Sequence, residues 1–156
     1  METPASMTAK YGDPRIGTAA WAKKWLATYK LPDWLLPHFP PLYDGSKVTR
    51  IQMHKDAVAP FEAAMKELVD TGLIKELKSY YGCWVVRNMR GLNTPSIHSW
   101  GCAWDFNANT NPLGKSWTPG KNGMFSQRFI EVMQKHLDCG AYWKGSRCDA
   151  MHFQTK

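Results

Sequence analysis

Ten residues, SIHSWGCAWD from Ser96 to Asp105, constrain the fold more than any other stretch of the chain. Side chains seven positions apart in an unbroken strand point to opposite faces of a sheet, so His98 and Asp105 can meet only if the chain turns between them. Ser99-Trp100-Gly101 is the place for that turn, and the glycine is part of the reason. The DAMHFQTK stretch poses the same problem. Asp149 and His152, three apart, converge if Asp149 sits in a loop and His152 on a short strand whose neighbours Met151 and Phe153 face the core. Two segments far apart in sequence thus each present a histidine and a carboxylate across a bend.

Around them the patterning alternates between helical and strand periods. DAVAPFEAAMKELVDTGLIKEL has Val58, Phe61, Met65, Leu68 and Val69 on helical spacing, with Gly72 where a C-cap belongs. MFSQRFIEVMQKHLDCG reads as a second helix ending at Gly140. VTRIQMH and YYGCWVVRNM read as strands, SIHSWGCAWDFNAN as a turn and strand, and NTNPLGKSWTPGKNG as a long loop. Upstream, WAKKWLATYKL looks helical, and PDWLLPHFPPLYDG is an extended or turning segment. The expectation is one α+β domain over residues 1–156, a small antiparallel sheet with flanking helices. Residues 1–45 form an N-terminal wrapping segment and 46–156 the core.

Charge narrows the partners. Lys and Arg total 20 against 13 Asp and Glu, a formal net charge of +7, which favours anionic targets. The cations are scattered, with no long basic run and no aromatic RNA-binding signature, so nucleic acid is not an expected partner. No apolar run is long enough to cross a membrane, and METPASMTAKYGDP lacks the basic-then-apolar order of a secretory signal. Cys83, Cys102, Cys139 and Cys148 form no CxxC pair, which excludes a cysteine zinc ribbon; free buried thiols are favoured over the alternative, a disulfide framework.

Two imidazoles and one carboxylate are a three-ligand set for catalytic zinc, which keeps a fourth position for water. His98, Asp105 and His152 supply such a set, and Asp149 a further carboxylate to act as general base. Spacing alone leaves alternatives open: a histidine beside tryptophan also serves as a structural residue, and an aspartate before a loop also serves as a cap.

The pattern SIHSWGCAWD resembles the SxHxxGxAxD signature of the LAS metallopeptidases (lysostaphin, D-alanyl-D-alanine metallopeptidase, sonic hedgehog), matching at Ser96, His98, Gly101, Ala103 and Asp105. DAMHFQ resembles their second signature, a carboxylate shortly before the final zinc histidine and HF at the end. GCWVVRNMRG, NANTNPLG and GAYWKGSRCDAMHF are similar to the branch containing phage L-alanyl-D-glutamate endopeptidases, and the likeness spans roughly residues 45–156. The resemblance implies that His98, Asp105 and His152 bind Zn2+ and that Asp149 is the base. It also implies that an arginine steadies the scissile carbonyl; Arg87, which closes an apolar run, is preferred over Arg90. Ser96 either supports the ligands from behind or caps the turn, and Trp143, Tyr142 and Trp100 are candidates for the substrate groove, with core packing the equal alternative for Trp100. Cys102, Trp104 and Gln154 depart from the usual pattern, while His38, His54 and His136 have no partner at ligand spacing.

The function so implied is zinc-dependent hydrolysis of the peptidoglycan stem peptide, at the L-alanyl-D-glutamate bond, by a monomeric phage-type lysis enzyme. Such an enzyme is made in the host cytoplasm without a signal peptide and acts on the cell wall after the membrane is permeabilised. The alternatives are a D,D- or L,D-carboxypeptidase on the same peptides, and a noncatalytic zinc domain for binding or virion structure. Asp149 argues against the last, because a structural zinc site has no use for a base.

Overall fold

A computed structural model describes all 156 residues. In chain order the elements are α1 (Pro4–Tyr11), α2 (Thr18–Trp25), β1 (Leu26–Lys30), β2 (Arg50–His54), α3 (Val58–Thr71), β3 (Tyr80–Gly82), β4 (Ala103–Phe106), α4 (Gln127–His136), β5 (Asp138–Cys139) and β6 (His152–Gln154). β1 and β2 make one antiparallel pair, and a second sheet runs β3-β4-β6-β5, antiparallel at every step. The architecture is α+β, as the alternation of patterns predicts.

The four-stranded sheet separates the apolar core from the candidate site. Trp104 and Phe106 on β4 and Phe153 on β6 are fully buried on one face, where Phe61 of α3 stacks on Trp104 at 5.0 Å and Phe129 of α4 lies 6.1 Å from Phe153. Burying each such phenylalanine contributes about 1.5–3 kcal/mol. Because strand side chains alternate, Asp105, His152 and Gln154 face the other way. β4 and β6 pair in a register that sets Asp105 directly opposite His152. α3 ends where Gly72 adopts φ 76°, and α4 begins where the Ser126 hydroxyl accepts the Phe129 N–H at 3.1 Å.

Several local expectations are corrected. WAKKWLATYKL is not one helix: α2 stops at Trp25, and LATYK becomes β1, paired from Leu26↔His54 to Lys30↔Arg50. Ladder pairing with β2 overrides the helical pattern there. Residues 4–11, left unassigned by patterning, form α1 behind a Thr3/Ser6 capping box. The run YYGCWVVRNM leaves the sheet after Gly82, at a register shift, and continues irregularly to an isolated bridge between Asn88 and Pro95. The second expected helix ends at His136 rather than Gly140, because Asp138 and Cys139 pair with β6. Met151 is half-buried on the cleft side instead of in the core. Met7, Trp21, Leu31 and Leu35 join the same apolar cluster as the sheet and α3, so the N-terminal segment supplies core as well as wrapping.

Candidate metal centre

The expected turn exists and its local chemistry is visible. The Ser96 hydroxyl accepts the His98 N–H at 3.3 Å, opening a single 3-10 turn over Ile97–Trp100, and Gly101 ends it at φ 69°. A Cβ at Gly101 would lie 2.8 Å from the backbone nitrogen of His54, whose N–H donates to the Gly101 carbonyl at 2.9 Å. Glycine is therefore required twice, for its backbone angle and for the close approach. From this turn His98 reaches over the sheet face toward Asp105 and His152.

The three side chains meet. His98 Nε2 lies 3.1 Å from Asp105 Oδ2, and His152 Nδ1 lies 3.3 Å from Asp105 Oδ1. One ligand atom from each residue falls within 4.8 Å of the other two. The far ring nitrogens fix the tautomers: His98 Nδ1 donates to the Cys83 carbonyl at 2.8 Å, and His152 Nε2 donates to Gln154 Oε1 at 2.9 Å. When both rings are neutral, bare His98 Nε2 and His152 Nδ1 therefore face a carboxylate, three acceptors with no donor between them. His98 Nε2 and Asp105 Oδ1 are buried without a hydrogen-bond partner. Such a set fits a divalent cation, and zinc suits two imidazoles and one carboxylate.

The electrostatics agree with that fit. Burial alone would raise the Asp105 carboxyl, but His98 and His152 outweigh it and hold the carboxyl well below the usual carboxylate range. Burial lowers the basicity of His152, yet the hydrogen bond and charge of Asp105 more than reverse this, so its pKa is raised. A cation among these groups competes with a proton for the same lone pairs.

Asp149 stands beside the set in the turn before β6. Its loop is pinned to Gly140, whose carbonyl accepts the Asp149 N–H at 2.9 Å; a Cβ on Gly140 would sit 2.2 Å from the Asp149 carbonyl oxygen. Burial pushes the Asp149 carboxyl above its ordinary range and Asp105 adds to the effect, while His152, His98 and Arg87 oppose it. Its Oδ1 is buried and unpartnered. A carboxyl held above its ordinary range, with one oxygen free, is suited to taking up and returning a proton.

All of these groups open on one cleft of about 1070 Å³, whose walls include Ser96, Arg87, Arg90, Trp143, Lys144 and Arg147. Arg87 is exposed, and its backbone is tied to the ligand turn: its N–H donates to the Ser99 hydroxyl at 3.0 Å, which donates back to its carbonyl at 2.8 Å. Trp143 lies 5.2 Å from the His152 ring, as a groove residue would. Two groove candidates are elsewhere. Trp100 is fully buried, donating its indole N–H to the Gly12 carbonyl, and Tyr142 packs edge-on against Trp117 away from the cleft. His38 is exposed, His136 pairs with Glu67, and His54 is buried among aromatics. The four cysteines are free and buried. Patterning missed the Cys83 carbonyl, Ser99, Gly140 and Glu2 as supports of the site; only Gln154 carried a signal, as a departure from the resembled signature.

A family model described as D-alanyl-D-alanine carboxypeptidase matches residues 90–155. That stretch is similar to a peptidase. It contains His98, Asp105, Asp149 and His152, and peptidases of this family are zinc enzymes. Arg87 lies just outside it. No curated protein and no solved structure matches the chain.

Proposed function

We propose that this protein is a zinc-dependent peptidoglycan hydrolase that cuts the stem peptide at the L-alanyl-D-glutamate bond, as a monomeric lysis enzyme of the phage type. It reaches the wall once the membrane has been permeabilised. One observation carries the catalytic reading: the three converging acceptors open on a cleft, with the half-buried carboxylate of Asp149, its Oδ1 unpartnered, beside them. A structural zinc site closes its fourth position with protein.

A zinc ion held by His98, Asp105 and His152 would supply a Lewis acid for the scissile carbonyl and would acidify water. Asp149 takes the proton of the attacking water on its carboxylate and returns it to the leaving amine. Arg87, a permanent cation on the cleft wall, donates to the carbonyl oxygen as charge develops there. Arg87, Arg90, Lys144 and Arg147 border the cleft, and none of them is in an ion pair. Four unpaired cations favour a substrate with free carboxylates, as D-glutamate in a stem peptide has. The description of the matched family favours a second reading, a carboxypeptidase whose substrate offers a terminal carboxylate to the same cations.

Mass spectrometry of peptides released from purified peptidoglycan separates the two. Wild-type protein is expected to generate new D-glutamate amino termini, absent after chelation and absent with Asp149→Ala. Loss of a terminal alanine alone would establish the carboxypeptidase, and no release by folded, zinc-loaded protein would leave a noncatalytic zinc domain.

A further inference from the structure

We propose that the N-terminal segment is a working part of the metal centre, because Gln154 links the Glu2 backbone carbonyl to the His152 imidazole and thereby selects the ring nitrogen that faces the metal. The inference rests on reading His98, Asp105 and His152 as zinc ligands.

Gln154 is 2% exposed and both ends of its amide are engaged. Its Nε2 donates to the Glu2 carbonyl at 3.0 Å, and its Oε1 accepts from His152 Nε2 at 2.9 Å. A backbone carbonyl only accepts, so the amide NH2 must face Glu2 and the amide oxygen must face His152. That orientation requires a proton on His152 Nε2, and in the neutral ring it leaves Nδ1 bare toward Asp105. A carboxylate at 154 would still accept from His152 but could not donate to Glu2. Glutamine at this position and a carbonyl at the other end of the chain are therefore complementary.

Glu2 is itself held in place. Its side chain accepts from the Ser6 hydroxyl at 2.5 Å and pairs with Lys10, both on α1. α1 is seated by Met7, 1% exposed, and its C-terminal Gly12 carbonyl accepts the indole N–H of Trp100, a residue of the ligand turn, at 2.8 Å. Met1 to Pro4 also wall the cleft. Glu2 lies outside the segment similar to the carboxypeptidase family, residues 90–155, so the support comes from a part of the chain that the likeness does not cover. Such partners of ligating histidines typically change metal affinity by about 10–100-fold.

The test is zinc affinity of the full chain by chelator competition, with 15N spectra of the zinc-loaded protein. Gln154→Met is expected to raise the zinc Kd about tenfold or more. Lys10→Glu and Glu2→Lys, which break the clasp on Glu2 without touching a ligand, are each expected to raise it several-fold, and the double charge swap to restore it. In the spectra His152 should coordinate through Nδ1 and His98 through Nε2. Unchanged affinity in Gln154→Met or in both single charge variants, or coordination of His152 through Nε2, would overturn the proposal. If Gln154→Met fails to fold, the charge swap and the wild-type spectra decide. Wild-type protein that binds no zinc would reject the metal reading itself, and this inference with it.

Discussion

Gly140 holds Asp149 by what it lacks. Alanine there would place a methyl 2.2 Å from the Asp149 carbonyl oxygen, so the loop must shift and carry the carboxyl with it. Gly140→Ala is expected to cost about 1–3 kcal/mol of stability. It should also lower hydrolysis at least tenfold while zinc stoichiometry stays at the wild-type value, since all three ligands lie elsewhere. Thermal melting, metal analysis and rates on peptidoglycan check the three parts; full activity would show that the position of Asp149 does not matter to the chemistry. The contrast explains what the sequence could disclose. His98, Asp105, Asp149 and His152 are legible as a candidate site because the proposed ligands and base are particular side chains. The Cys83 and Glu2 carbonyls and the Gly140 contact were not, because every residue owns a backbone and its use leaves no letter behind.

At the level of elements, His54 joins the two sheets' surroundings. It ends β2, its N–H holds the Gly101 carbonyl, and its ring lies 4.2 Å from Tyr11 of α1 and 5.3 Å from Trp25 of α2. Nδ1 accepts the Asp56 N–H at 3.0 Å, so the neutral ring carries its proton on Nε2. Burial lowers its pKa, with Lys55 adding to the effect and Asp56 opposing. The unfolded chain therefore takes up this proton more readily than the fold. The stability His54 contributes is complete above about pH 6.5 and is lost as pH falls below it. Melting curves from pH 7.5 down to pH 5 should show this loss, and His54→Asn, which keeps an acceptor for Asp56, should flatten it. An equal slope in the variant would assign the effect to other groups. α3 and the Gly101 turn were readable because one periodicity and one glycine decide them locally. β1 was not, since LATYK becomes a strand only when residues 50–54 arrive to pair with it, and the strand run after Gly82 was over-read because its apolar residues line an irregular segment.

For the molecule as a whole, the net charge of +7 acts through where the unpaired cations lie. Four of them, Arg87, Arg90, Lys144 and Arg147, border the cleft, so under the proposed function long-range attraction would draw anionic stem peptides toward the site. Raising salt from about 0.1 M to about 1 M shortens the screening length from about 10 Å to about 3 Å. kcat/KM for a stem peptide with free carboxylates is expected to fall several-fold over that range, and for its amidated counterpart to change little. Equal salt dependence for both would remove the rim from substrate capture.

The pairing of Asp105 with His152 has a consequence for folding fidelity. β6 is three residues long, and a slip of one position would present Phe153 where His152 belongs and turn the histidine into the apolar core. Only the correct alignment completes the ligand set. A zinc ion that binds this alignment and no other would stabilise it by mass action, and so proofread the strand register.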